Sequence, residues 1–195
     1  MNISLSLTSI SLACINFVKK YSMKTKTPKE STTVTTKIVL PNDTNPHGNL
    51  FGGQLLGWMD VTAAITAQRH SRRVVVTASV NNVSFGSPIR ESDVVTLEAN
   101  ISRAFNSSME IIIDVYVENQ VSGVRKKHNE AIYTFVAVDQ NGGTITVPQL
   151  VPETEEENIR YDGALRRKQL SLILAGKMNP EDATELKRLF LPGEA

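Results

Sequence analysis

Asp60 is the residue that stands out. It lies inside an otherwise apolar run where Leu55, Leu56, Trp58, Met59, Ala63, Ile65 and Ala67 recur at helical spacing, with no proline between them. Burying a lone carboxylate unpaired is costly. The same carboxylate could do chemistry, as a general base for water or as a direct nucleophile. Just upstream, Gly52 and Gly53 would open the helix. Their free N–H groups would sit at the positive end of the dipole, and without Cβ atoms a reacting carbonyl could come close. Each feature also has a plain reading. Asp60 serves equally as a structural carboxylate or on a solvated helix face. The glycines could form only a tight turn. Asn49, just before them, is by pattern an ordinary loop residue. His47 lies in a loop beside a proline, where a histidine is usually solvated, so it is left out of catalysis.

These residues need elements to hold them. The loop before the helix contains the turn formers Pro41, Asn42, Asp43, Asn45, Pro46 and Gly48. Thr32–Leu40 is β-branched and reads as a first strand. Four further runs read as strands: Arg73–Phe85, Asp93–Phe105, Met109–Glu118 and His128–Asp139. In the second, Val95, Leu97, Ala99 and Ile101 alternate with polar residues. In the third, Met109, Ile111, Ile113, Val115 and Val117 do the same. This period of two implies a long antiparallel sheet with one face on a core. Such a sheet twists, and the long apolar helix is what it would curl around. The expected class is α+β: a central helix wrapped by a curved antiparallel sheet. A further helix should begin after Thr154, whose hydroxyl can cap it, with Glu155–Glu157 in its first turn. Leu165, Leu172 and Ile173 would be its packing face, Pro180 its end, and Glu181–Phe190 a short last helix.

Composition narrows the classes. The 195 residues suit one domain with tails, and 41% hydrophobic with 21% charged residues is ordinary for a globular chain. With 21 Lys+Arg against 20 Asp+Glu, nothing points to nucleic acid or a membrane surface. Cys14 is the single cysteine, so no internal disulfide and no Cys/His metal spacing exists. That fits a reducing, cytoplasmic setting. Residues 1–22 lack the basic start of a signal peptide and are too short and polar to span a membrane. They read as an extension upstream of a natural start at Met23. The expected division is a disordered extension and linker over 1–31, a domain over 32–152 and a helical tail over 153–195.

Four segments in order carry a family pattern: PNDTNPHGNLFGGQLLGWMD, VVTASVNNVSFGSPIRESDVV, NSSMEI and VPQLVPETEEE. They resemble the hotdog-fold acyl-CoA thioesterases, specifically the brain acyl-CoA hydrolase family and its single-domain bacterial relatives. The resemblance implies the hotdog fold itself, with the long helix inside the curved sheet. It implies hydrolysis of acyl-CoA to CoA and a carboxylic acid, with no cofactor and no metal. It implies pairing of two domains edge to edge, and often a trimer of dimers. Its catalytic asparagine falls on Asn49 and its aspartate on Asp60, one from each protomer of a shared site. Phe51 departs from the histidine that many relatives carry. Within this frame Asp60 is expected as general base and Asn49 as a water or oxyanion stabiliser. Gly53 is the expected oxyanion donor, with Gly52 the alternative. The resemblance further implies that Ser84, Phe85, Arg90, Asn106, Ser107, Ser108 and Met109 line the pantetheine and nucleotide. Lys126, Lys127 and Arg90 are candidate phosphate partners.

Two other functions compete. A dehydratase on the same fold would need a histidine paired with an acid near the helix, and only His47 is near. A non-catalytic acyl-CoA-binding or sensor module would lack the Asn/Asp pair or carry a DNA-binding segment, and neither holds here.

Overall fold

The computed structural model describes residues 25–81 and 83–190. The expected extension over 1–22 therefore lies outside the described residues. Five strands form one antiparallel sheet in the order β1-β3-β4-β5-β2. They are β1 (Thr33–Ile38), β2 (Val74–Asn81), β3 (Val94–Ala104), β4 (Ser108–Glu118) and β5 (Arg125–Val138). The long helix α1 (Gly52–Ser71) packs on the inner face. This is the hotdog arrangement that the resemblance implies.

The period of two does what it should. Val95, Leu97, Ala99 and Ile101 of β3 point inward, as do Met109, Ile111, Ile113 and Val115 of β4 and Ala131, Tyr133, Phe135 and Ala137 of β5. Leu55, Trp58, Met59, Ala63 and Ala67 of α1 close the core against them. Each Val, Leu, Ile, Met or Phe side chain so removed from water contributes about 1.5–3 kcal/mol, and each alanine methyl less. The buried hydroxyls of α1 satisfy themselves: Thr62, Thr66 and Ser71 donate to the carbonyls of Trp58, Thr62 and Ala67 at 2.8–2.9 Å.

A second helix, α2 (Glu155–Leu174), covers the outer face. Thr154 caps it, accepting from the Glu157 amide at 3.2 Å while the Glu157 carboxylate accepts from the Thr154 amide at 3.0 Å. Outward-facing Glu110 and Asp114 of β4 are buried beneath it. Arg167 holds Glu110 at 2.7 and 3.1 Å, and Arg160 holds Asp114 at 2.8 Å. Unpaired, either carboxylate would cost several kcal/mol. Burial raises the Asp114 carboxyl, but Lys127 and Arg160 overcome it and hold it below the usual range.

Several boundaries differ from the sequence reading. β5 starts at Arg125 because β4 pairs with it down to Glu118. The basic run there has no apolar alternation to reveal a strand. β2 stops at Asn81, short of Phe85. α2 stops at Leu174, well before Pro180, because Gly176 adopts φ +67° and the Lys177 amide turns back to the Leu172 carbonyl at 2.8 Å. Of the short last helix, one turn forms, α3 (Thr184–Lys187). Residues 26–31, the end of the expected linker, pack on the domain. Pro28 and Ser31 are buried, and Lys26 forms a parallel bridge with Leu150. Its Nζ donates to the carbonyls of Arg69 and His70, which end α1. No helix among the described residues is long and apolar enough to cross a membrane.

At that same end of α1, His70 is fully buried and its Nε2 lies 2.8 Å from the Pro148 carbonyl. A carbonyl only accepts, so Nε2 carries the proton. Burial holds the imidazole pKa below 6.5. The unfolded chain therefore takes up this proton first as pH falls, so stability is full above about pH 6.5 and declines below it. Replacing His70→Gln keeps a donor for Pro148 and should flatten the acid limb of a melting-temperature curve between about pH 8 and pH 5, which thermal unfolding monitored by circular dichroism measures.

Candidate active site

The loop before α1 is built around Asn45. Its backbone carbonyl accepts from the Gly48 amide at 2.9 Å, closing a turn in which Gly48 takes φ +71°. Its side-chain oxygen accepts from the amides of His47 at 2.9 Å and Asn49 at 3.3 Å. Its backbone amide donates to the Asn49 carbonyl at 2.8 Å. With Oδ1 occupied by the backbone, the side-chain amide of Asn45 is left as a donor. The loop is stitched to residues 89–91: Leu50 donates to the Ile89 carbonyl at 2.7 Å, and Glu91 to the Gly48 carbonyl at 3.2 Å. His47 is exposed, as expected.

The chain then enters α1 through Phe51, whose ψ of 127° is still extended. The Phe51 carbonyl takes the amides of Gln54 and Leu55. The amides of Gly52 and Gly53 donate to no acceptor among the described residues, as the first turn of a helix requires. Two rings flank them. A Cβ on Gly52 would lie 3.4 Å from the Phe85 ring, and one on Gly53 would lie 2.5 Å from Cε1 of Phe51. Both rings are more than half exposed.

Asp60 is half-buried on the outward side of α1. Its Oδ1 accepts from the Thr77 hydroxyl of β2 at 2.8 Å. Beneath it the Tyr133 hydroxyl donates to the Leu56 carbonyl at 3.1 Å. Burial, then the Asp60 charge, push the Tyr133 pKa up to about 12, so the phenol stays protonated. The anomaly of the sequence thus has a partner, and that partner comes from another element. Thr77 carried no signal in the sequence, because a threonine in a β-branched run is ordinary. Along the helix axis Asp60 stands about 10–12 Å from the amides of Gly53 and Gly52. Within one chain, Asp60 and the helix start are thus about two turns apart.

The expected substrate residues divide. Phe85 lies on Gly52, and the Ser84 carbonyl is held by Asn129 at 2.9 Å. Arg90 is exposed and bridges Asn49 through its backbone. Asn106 and Ser107 form the turn between β3 and β4, and Ser108 opens β4. Met109 does not belong with them. It is fully buried, opposite Phe135, because strand alternation turns it into the core. Lys126 is exposed on a cleft of about 380 Å³ with Ser87, Ser122 and His128. Lys127 is taken by Asp114 and Glu130.

Comparison with known proteins follows the same outline. A profile of the Thioesterase superfamily matches residues 47–124. The chain is 44% identical over 144 residues to the acyl-CoA thioester hydrolase YkhA of Bacillus subtilis, covering 74% of this chain and 84% of that one. The chain belongs to the acyl-CoA thioester hydrolases of this superfamily. Among solved structures it is similar to an apo-hexameric acyl-CoA thioesterase, with TM-score 0.75, 38% identity, and 78% and 97% of the two chains covered. The acyl-CoA hydrolase of Staphylococcus aureus, in complex with butyryl coenzyme A and coenzyme A, gives TM-score 0.71 and 34% identity over 78% and 95%. That Staphylococcus hydrolase has also been solved with an asparagine, an aspartate or a threonine changed to alanine. Those three positions have the spacing of Asn45, Asp60 and Thr77 here. Asn49 does not share it.

The two glycines of this hydrolase should respond differently to a methyl group. Gly52→Ala meets Phe85 at ordinary contact distance. Gly53→Ala must swing the Phe51 ring aside. Thioester hydrolysis should fall at least about tenfold more in the second, with melting temperature little changed in either because both positions are helical. Parallel activity and thermal-melt measurements on the two variants check this.

Proposed function

We propose that this chain hydrolyses acyl-CoA thioesters to CoA and a free carboxylic acid, at sites shared between two copies. The separation of about 10–12 Å along α1 between Asp60 and the free amides carries this reading. A second copy with its helix antiparallel would bring its own helix start to the first copy's Asp60. The surface supports such pairing. Gly53, Gly57 and Val61 lie exposed along one side of α1, and small residues there let a second helix come close. β2 is an edge strand that exposes Val74, Val76 and Val80. A copy added edge to edge would cover these side chains and satisfy the free edge. The apo-hexameric relative supports further assembly, as a trimer of such dimers.

Asp60, oriented by Thr77, takes a proton from water as the water oxygen attacks the thioester carbonyl. Negative charge gathers on the carbonyl oxygen. The Gly53 amide of the other copy donates to it, with Gly52 beside it at the positive end of the helix. The C–S bond then breaks, and the thiolate of CoA takes the proton back from Asp60. The asparagine amide completes the donor set. The resemblance assigns it to Asn49. The spacing of the Staphylococcus positions and the occupied Oδ1 of Asn45 favour Asn45, with Asn49 holding the loop through its backbone.

A free-thiol release assay over acyl-CoAs of increasing chain length tests this. Asp60→Asn should lower kcat by about 10³-fold in a protein that still folds and assembles. Asn45→Ala should fall by about 10²-fold and Asn49→Ala by much less. The reverse order returns the role to Asn49. No release of thiol from any acyl-CoA by a well-folded native oligomer points instead to a binding module.

The shared site has its own test. Randomly paired Asn45→Ala and Asp60→Asn protomers should recover about a quarter of native activity, because half the dimers are mixed and each mixed dimer keeps one intact site. Verified mixed dimers without activity would place both residues in one chain's site.

A further inference from the structure

The segment beside the helix start is fastened to the fold by two side chains of another strand. Residues 83–88 lie between β2 and β3. Among the described residues, none of their backbone groups bonds another backbone group. Val83 packs against the core at one end, and the Ile89 carbonyl takes the Leu50 amide at the other. Between these ends the hydrogen bonds come from β5. The side-chain amide of Asn129 donates to the Ser84 carbonyl at 2.9 Å. His128 Nε2 lies 2.8 Å from the Ser87 carbonyl and 3.1 Å from the Ser87 hydroxyl oxygen. A carbonyl only accepts, so this Nε2 carries the proton. Phe85 stands between the two fastened carbonyls, and its ring is the group a Cβ on Gly52 would meet.

Adjacent residues of a regular strand point to opposite faces. His128 and Asn129 nevertheless reach the same segment, and the pairing register gives the reason. Asn129 pairs with Val115, and Lys127 pairs with Tyr116, the next residue of β4, so His128 is an extra residue in β5. Such a bulge re-aims a side chain. Lys127 keeps to the outer face, where it meets Asp114. Asn129 continues the inner row of Ala131, Tyr133 and Phe135. Asn129 Oδ1 and His128 Nδ1 are buried with no hydrogen-bond partner among the described residues. Leaving such atoms unpaired is costly. Neither side chain therefore belongs to a wider polar network. What each contributes is a donor to the segment that carries Phe85.

We infer that His128 and Asn129 are positioning residues for thioester hydrolysis: they fasten residues 84–87 so that Phe85 stands beside the free amides at the start of α1. The inference rests on the acyl-CoA hydrolase reading. In that reading the thioester carbonyl approaches the amides of Gly53 and Gly52, and the Phe85 ring is the wall next to it. The wall limits where the acyl-CoA can lie and keeps water from that side. A segment without backbone pairing of its own opens easily, so the two donors from β5 set how often the wall is in place.

His128→Ala and Asn129→Ala each remove one donor, and His128→Gln keeps a donor close to the position of Nε2. In variants whose thermal melts show a folded protein, kcat/KM for acyl-CoA should fall about tenfold in the two alanine variants, chiefly through KM, and stay within about twofold of native in His128→Gln. Phe85→Ala supplies the discriminating background. Residues that act through Phe85 lose their effect there, so adding either alanine to Phe85→Ala should lower kcat/KM by less than about twofold. A further loss of about tenfold in that background overturns the inference. So does unchanged kcat/KM in folded His128→Ala and Asn129→Ala, or a His128→Gln as impaired as His128→Ala. Cleavage by chymotrypsin after Phe85, read by mass spectrometry, needs no substrate. It should run at least about fivefold faster in the alanine variants than in native protein or His128→Gln, because cleavage follows the open population. Equal rates overturn the fastening itself. If the cut accelerates as expected while the native protein cleaves no thioester, the fastening stands and the hydrolase reading is what fails.

Discussion

Everything in this protein depends on burying one face of α1 in a sheet curved enough to hold it. Met59, Ala63 and Ala67 are fully buried, and the inner residues of β3, β4 and β5 meet them with almost no exposure. A sheet packed this closely on one helix must place that helix at a single height and rotation, because interiors do not deform continuously. The opposite side of α1 is then defined as well. It exposes Gly53, Gly57 and Val61, with Asp60 half-buried at its border against Thr77 of β2. The proposed chemistry lies on the side that the core leaves over.

The outer face of the sheet is secured by charge as well as by apolar packing. β4 is buried on both sides, so Glu110 and Asp114 cannot reach open water. They hold α2 in place through Arg167 and Arg160. Removing one member of such a pair leaves a buried charge, so the arrangement specifies where α2 docks more than it adds stability.

The proposed site is divided by the length of a helix. The Asn45 loop and the free amides stand at the start of α1, and Asp60 stands two turns on, pinned to β2 by Thr77. β2 is at once the strand that orients Asp60 and the free edge of the sheet. In the proposed dimer, pairing through that edge and placing the carboxylate use the same strand.

Period and composition alone determined a great deal. The apolar spacing of residues 55–67 required one helix, the alternation in β3 and β4 required a sheet with one buried face, and Thr154 with Glu157 marked the start of α2. These are local patterns, and each reflects which side of an element meets water. The candidate residues Asp60, Gly52 and Gly53 were legible because they break or open such a pattern. Tertiary structure alone decided the rest. Thr77 became the partner of Asp60 only when β2 was laid beside α1. Met109 went to the core and Lys127 to Asp114, because pairing register sets which way a side chain points and which acid it meets. The basic start of β5 became a strand because β4 offered it an edge. A sequence shows what each residue prefers. Which preferences meet depends on contacts between segments distant in the chain, and those exist only once the core has formed.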